Sequence, residues 1–177
     1  MALTVVLTPT IKQELLVLAH GRNDAKTSDR SRRRSNEFTD LELDYLGIKG
    51  EYVAAEIAGV PFDRTSYGSA GDDNRPDLVI SGLRYAIKTN HRLNGYLVVE
   101  RREDTARADR LLLVNGPCEP DGLCMCRRIG EWMACTEQWC VAGWIPIGEF
   151  WQLCSLSNWG LGPRWWMRAD DLRKERL

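Results

Sequence analysis

The stretch from Pro76 to Lys88, PDLVISGLRYAIK, limits most strongly what this chain can fold into. Two short runs of alternating pattern, 77–81 and 84–88, flank Gly82 and Leu83. A glycine in the first position of a two-residue loop suits a type II′ hairpin turn. With Gly82 and Leu83 as that loop, Ser81 faces Arg84, Val79 faces Ala86 and Asp77 faces Lys88. Side chains alternate between faces along a strand. One face therefore carries Leu78, Ile80, Tyr85 and Ile87 and belongs to a core. The other carries Asp77, Val79, Ala86 and Lys88, so a carboxylate and a lysine share it with an alanine.

The flanking sequence alternates between helical and extended patterns. Thr8-Pro9-Thr10 precedes apolar residues at helical spacing (Ile11, Leu15, Leu18, Ala19), which predicts a helix over 11–20 that stops at Gly21. Residues 22–36 are polar and carry Arg22, Lys26, Arg30, Arg32, Arg33 and Arg34; a solvated loop is the simple reading and a phosphate-contacting arm the sharper one. Helix is expected from Asn36 to Gly59, with a break near Gly47. Val60 to Tyr67 fits an edge strand with Pro61 at its start, and 68–75 a loop in which Asp72 and Asp73 serve the backbone as turn residues or approach a metal. After the hairpin, Thr89–Gly95 reads as a connector, Tyr96–Glu100 as a strand, Arg101–Arg110 as a charged turn and Leu111–Val114 as a fully apolar strand. Residues 116–138 resist assignment, beyond a short strand expected over 123–129. Val141–Ile145 reads as a strand, Ile147–Leu156 as a helix, Arg164–Met167 as a strand and Ala169–Arg176 as a polar terminal helix. No internal repeat is visible.

The hairpin and its surroundings resemble the PD-(D/E)XK nuclease superfamily. In that family a Pro-Asp opens the first strand, matched here by Pro76-Asp77. An acidic residue, any residue and a lysine close the second strand, matched by Ala86-Ile87-Lys88 except that alanine replaces the acid. A helical glutamate often precedes the hairpin, matched by Glu51 after Gly50 and before Val53, Ala54 and Ala55. Small residues let a helix approach a sheet closely, which would bring Glu51 near Asp77; Glu56 is a second candidate. For Glu51 taken alone, an exposed helix glutamate is the ordinary fate. The resemblance spans roughly 40–115 and implies a mixed α/β domain whose central β-sheet is flanked by helices, like a restriction endonuclease. It implies metal-dependent hydrolysis of DNA phosphodiester bonds in a phage, prophage or bacterial setting. Phosphodiester hydrolysis needs a metal held by hard oxygen donors, an activated water and neutralised phosphate charge. By resemblance, Asp77, the backbone carbonyl of Ile87 and Glu51 would hold Mg2+ or Mn2+. Lys88 would activate the water or meet the phosphate, and His91 and Arg92 would contact DNA together with Arg32, Arg33 and Arg34.

Ala86 removes one full charge from that ligand set, so the chain as written is expected to be inactive. A deliberate exchange that traps substrate or suppresses toxicity and a natural loss of the metal site both give this pattern. Retention of Glu51, Asp77 and Lys88 around one disabled position favours the first. The rival expectations are a non-catalytic nucleic-acid-binding or inhibitory protein on a decayed nuclease fold, and a zinc-bearing interaction module built by the C-terminal part.

With 177 residues, 44% hydrophobic and 28% charged, the chain fits one domain with a core near 36–115 and a Cys/Trp-rich extension over 116–177. A net charge of −1 implies no nucleic-acid partner by itself, although local basic patches can still bind phosphate. No apolar run is long enough to span a membrane, and Met1–Leu7 lacks the basic lead of a signal peptide. A reducing cytoplasm and mostly free thiols are therefore expected for the six cysteines, 118, 124, 126, 135, 140 and 154. Cys124 and Cys126 form a C-x-C pair, but zinc sites prefer C-x₂₋₄-C spacings with a matching second pair. All seven tryptophans lie at or beyond 132; a core or homodimer interface is the simple reading and a base-stacking surface the sharper one.

Overall fold

The computed structural model describes residues 4–24, 38–64, 76–92, 95–116, 128–158, 162–175 and 177. In chain order these form β1 (Thr4–Leu7), α1 (Pro9–Asp24), α2 (Asp40–Ala58), β2 (Leu78–Ile80), β3 (Leu83–Asn90) and β4 (Leu97–Val99). Then follow β5 (Arg110–Asn115), α3 (Ile129–Ala134), β6 (Glu137–Pro146), α4 (Ile147–Leu153), β7 (Ser155–Asn158) and β8 (Pro163–Met167). A five-stranded mixed sheet has the order β1-β6-β5-β3-β2, with β3 and β5 parallel and the other neighbours antiparallel. A smaller antiparallel sheet has the order β4-β8-β7. The architecture is mixed α/β, with the large sheet covered by helices. Strands β1 and β6 come from outside the 36–115 span, so the sheet draws on both ends of the chain.

β5 lies in the interior of this sheet, and Leu111, Leu112, Leu113 and Val114 all retain no exposed surface. Their alternation sends Leu112 and Val114 into one core and Leu111 and Leu113 into another. That is why this strand is apolar throughout, as strands buried on both faces are. The first core holds α1, α2 and α3 against the sheet through Leu15, Tyr45, Val53, Tyr85 and Trp132. The second holds α4 and the small sheet through Phe150, Leu97, Val99 and Met167. Full burial of one such aliphatic or aromatic side chain contributes about 1.5–3 kcal/mol.

The hairpin core face is as expected: Leu78, Ile80, Tyr85 and Ile87 are buried in the first core. Its loop differs. Leu78 pairs Tyr85, Val79 pairs Arg84 and Ile80 pairs Leu83, so the turn is Ser81-Gly82. Ser81 and Gly82 have φ of 51° and 79°, and two left-handed central residues make a type I′ turn, which follows the twist of the strands. Moving the turn by one residue shifts the cross-strand pairing by two, an even number, so every side chain keeps its face.

Other differences have local causes. α1 continues through Gly21 to Asp24. α2 is unbroken at Gly47, whose missing side chain faces open space; its start is fixed by a Thr39–Glu42 capping box and its end by Gly59 at φ 67°. Val60–Arg64 forms no strand; Phe62 turns its ring edge-on to Tyr52 with centroids 5.5 Å apart. β3 runs through Thr89 and Asn90, pairing Val114 and Asn115. The expected helix over 147–156 ends at Leu153, because Leu156 pairs with Trp165 in the small sheet. The terminal helix is a single 3-10 turn, Ala169–Asp171, after which Arg173 bridges the backbone of Trp144. Among the described residues, no helix is long and apolar enough to cross a membrane.

Candidate active site

Helix α2 brings Glu51 to the sheet because the residue before it has no side chain. A Cβ on Gly50 would stand 1.9 Å from the Thr89 hydroxyl oxygen, so α2 touches β3 backbone-close. Ala54 and Ala55, both without exposed surface, extend the contact. The neighbouring Glu51 is then held beside the end of the hairpin.

Asp77 stands one residue before β2. Continued by one pair, the ladder sets Asp77 opposite Ala86, not opposite Lys88 as the Gly82-Leu83 loop would have it. The Asp77 carboxylate accepts a hydrogen bond of 2.6 Å from the Ile87 amide, and so supplies a partner that the strand no longer offers. Burial pushes the Asp77 carboxyl above the usual range, against the Ile87 amide and the charges of Lys88 and Arg22. Burial likewise raises the Glu51 carboxyl; Arg22 opposes this and the negative charges of Asp77 and Asp63 add to it. Arg22 therefore acts on both carboxyls, Asp77 on Glu51, and Lys88 on Asp77, across α1, α2 and the hairpin. Glu56, the other helical candidate, is exposed and interacts with the Tyr52 hydroxyl instead.

Arg22 was legible only as the start of a basic polar run. Its guanidinium donates to both Glu51 oxygens, at 2.8 and 2.7 Å, and the two side chains keep only 19% and 18% of their surface. Leu15, Ala19 and Arg22 follow at i, i+4 and i+7, so the buried face of α1 itself points Arg22 at α2. Carrying the helix through Gly21, at a cost of about 1 kcal/mol, was the signal that would have placed it.

Ala86 is 6% exposed and packs in the second core with Leu97, Leu111 and Leu113. Its methyl is on the face of Asp77 and Lys88 but is covered by apolar neighbours. Among the described residues no three His, Cys, Asp or Glu side chains are grouped so as to hold a metal. The two carboxylates are the right donor type for Mg2+ or Mn2+. Their number does not fit: Glu51 is held by Arg22, Asp77 by an amide, and position 86 supplies no oxygen.

Of the expected DNA contacts, His91 and Arg92 lie among the described residues. His91 packs edge-on against Phe38 with centroids 4.8 Å apart, at the start of α2. Arg92 is exposed, and its amide donates to Asn90. Arg32, Arg33, Arg34, Asp72 and Asp73 lie outside the described residues, as do Cys118, Cys124 and Cys126. Cys135, Cys140 and Cys154 form no disulfide. The tryptophans mostly build cores: Trp132, Trp139 and Trp144 belong to the first, and Trp151 and Trp165 border the second. Trp166, on the other face of β8 from Trp165, packs against Tyr96 with centroids 5.0 Å apart.

A second charged cluster was not foreseen. Lys49 and Glu137, both without exposed surface, pair at 3.1 Å. The Lys49 ammonium lies 4.3 Å from the Tyr45 ring centroid, 4.4 Å from Trp132 and 5.1 Å from Trp139. Glu137 also accepts from the Trp139 indole at 3.1 Å. Lys12, 1% exposed, donates to the carbonyls of Trp132 and Met133 at the end of α3. Both lysines sit on helical faces that composition marks as polar, and only their tertiary partners allow them inside.

No family model, curated protein or solved structure matches this chain.

Proposed function

We propose that this chain carries the site of a metal-dependent DNA endonuclease of the PD-(D/E)XK type, on a restriction-endonuclease-like core, and that alanine at position 86 disables it. One observation supports this reading above the others. Glu51, seated beside β3 by the Gly50–Thr89 contact, is close enough to Asp77 of the hairpin for the Asp77 charge to raise its carboxyl, and Lys88 acts on Asp77. Holding two carboxylates near one another is unfavourable, and a site that needs both is a common reason to keep them. Lys88 is on the face of Asp77 and Ala86 and would offset charge on a phosphate oxygen. With an acid restored at position 86, a divalent metal held there would supply water activation and charge neutralisation.

The test is to make Ala86→Glu and Ala86→Asp, confirm folding by circular dichroism, and incubate each with supercoiled plasmid and Mg2+ or Mn2+. The reading expects nicking or linearisation by at least one variant and none by the parent chain.

The packing of Ala86 among Leu97, Leu111 and Leu113 favours a second reading, a non-catalytic DNA-binding or inhibitory protein on the same fold. An acid in this position must turn out of an apolar cluster, which suits a long-settled loss. Under that reading the parent chain shifts DNA equally with EDTA and with Mg2+, and the acidic variants cleave nothing.

A further inference from the structure

Arg22 reaches Glu51 from the last turn of α1, two residues before the helix ends at Asp24. The grip uses both guanidinium nitrogens and both carboxylate oxygens, at 2.8 and 2.7 Å. Paired forks of this kind are the strongest neutralisation a side chain offers a carboxylate. With about a fifth of each side chain exposed, the pair is poorly screened by water. A hard divalent cation needs the same oxygens and carries charge of the same sign as Arg22.

We propose that Arg22 is a resident cation that closes this site, taking on Glu51 the place of a divalent metal, so that metal binding and the Arg22–Glu51 pair exclude each other. The inference rests on the nuclease-like reading of Glu51 and Asp77. It explains how the two acids remain together in a chain whose donor set lacks a third. Arg22 then acts as a lock on metal loading, separate from the missing acid at position 86.

Direct Mn2+ binding, followed by the loss of the free-ion electron paramagnetic resonance signal, tests this without an activity assay. The proteins are the parent chain, Ala86→Glu, Arg22→Gln/Ala86→Glu, and that double variant carrying Glu51→Gln as well. Arg22→Gln keeps a hydrogen-bond donor and removes the charge. The double variant is expected to bind Mn2+ about tenfold more tightly than Ala86→Glu, with the gain lost on adding Glu51→Gln. Equal or weaker binding by the folded double variant overturns the lock while leaving the metal-site reading intact. Folded Ala86→Glu and double variants that both ignore Mn2+ overturn the metal-site reading and the lock with it. Arg22→Lys/Ala86→Glu, which keeps the charge, is the second variant should Arg22→Gln unfold the chain; it is expected to stay within about threefold of Ala86→Glu, and a full tenfold gain overturns charge exclusion.

Discussion

Gly50 lies against Thr89 so closely that a Cβ on the glycine would fall 1.9 Å from the threonine hydroxyl oxygen and 3.0 Å from its Cβ. This contact sets the distance between α2 and β3, and so decides where Glu51 stands relative to Asp77. Gly50→Ala is expected to destabilise the chain by about 1–3 kcal/mol, the usual range for overpacking. Thr89→Ala removes the nearest atom and should restore part of the loss. Denaturant titration of the two single variants and the double variant checks this; strictly additive losses would show that the residues do not compete for the same space.

Asp77 is held above the usual carboxylate range by burial. The native state therefore keeps its proton to higher pH than the unfolded state does. Below the unfolded value of about 3.9 the group is protonated in both states and has no effect. As pH rises through the native value, stability falls, and the loss is complete above it. Asp77→Asn removes that penalty and retains an acceptor for the Ile87 amide. Asp77 is exposed, so water screens much of the effect, and we expect the variant's Tm to exceed that of the parent only slightly at pH 7–8, with no difference below about pH 4. A Tm lowered at neutral pH would mean that the carboxylate stabilises the fold.

Lys49 and Glu137 are each buried with the other as ionic partner inside an aromatic box. Lys49→Met leaves Glu137 charged and unpaired, at an expected cost of about 3–5 kcal/mol. Glu137→Gln keeps an acceptor for the Trp139 indole, so the Lys49→Met/Glu137→Gln double variant should recover most of that loss. Chemical denaturation of all three provides the cycle, and a double variant as unstable as the sum of the singles would refute the pairing.

The turn residue Ser81 holds a left-handed φ of 51° beside Gly82 at 79°. Asparagine prefers this first position of a type I′ turn. Ser81→Asn is expected to stabilise by roughly 0.5 kcal/mol, and Gly82→Ala to destabilise by about 1 kcal/mol or more, because a Cβ is strained there. A register with Gly82 and Leu83 as the loop would leave Ser81→Asn without effect in thermal melts.

The strand and helix signals that survived were those with long-range partners of the expected kind. Leu111–Val114 is apolar because two cores meet on it, and the alternation of Leu78, Ile80, Tyr85 and Ile87 is the alternation of the hairpin itself. Parity protected the face assignment even though the turn was misplaced by one residue, because the pairing then shifts by two. Strand β1 was hidden because four residues carry too little pattern to show pairing with β6. Arg22, Lys12 and Lys49 were hidden for a common reason. A charged residue on a helix reads as exposed until the carboxylate, carbonyls or rings that meet it arrive from another part of the chain. Glu51 and Asp77 were legible through the small residues and the Pro-Asp turn around them, whereas the apolar cover over Ala86 comes from β4 and β5 and was not.

The most direct measurement is plasmid cleavage by Ala86→Glu, run beside Ala86→Glu/Asp77→Asn with Mn2+ and with EDTA. We expect Ala86→Glu to cut only with the metal, and the added Asp77→Asn to abolish cutting while both proteins remain folded. A folded Ala86→Glu chain that leaves the plasmid intact under every metal condition would contradict a nuclease site at Glu51, Asp77 and Lys88.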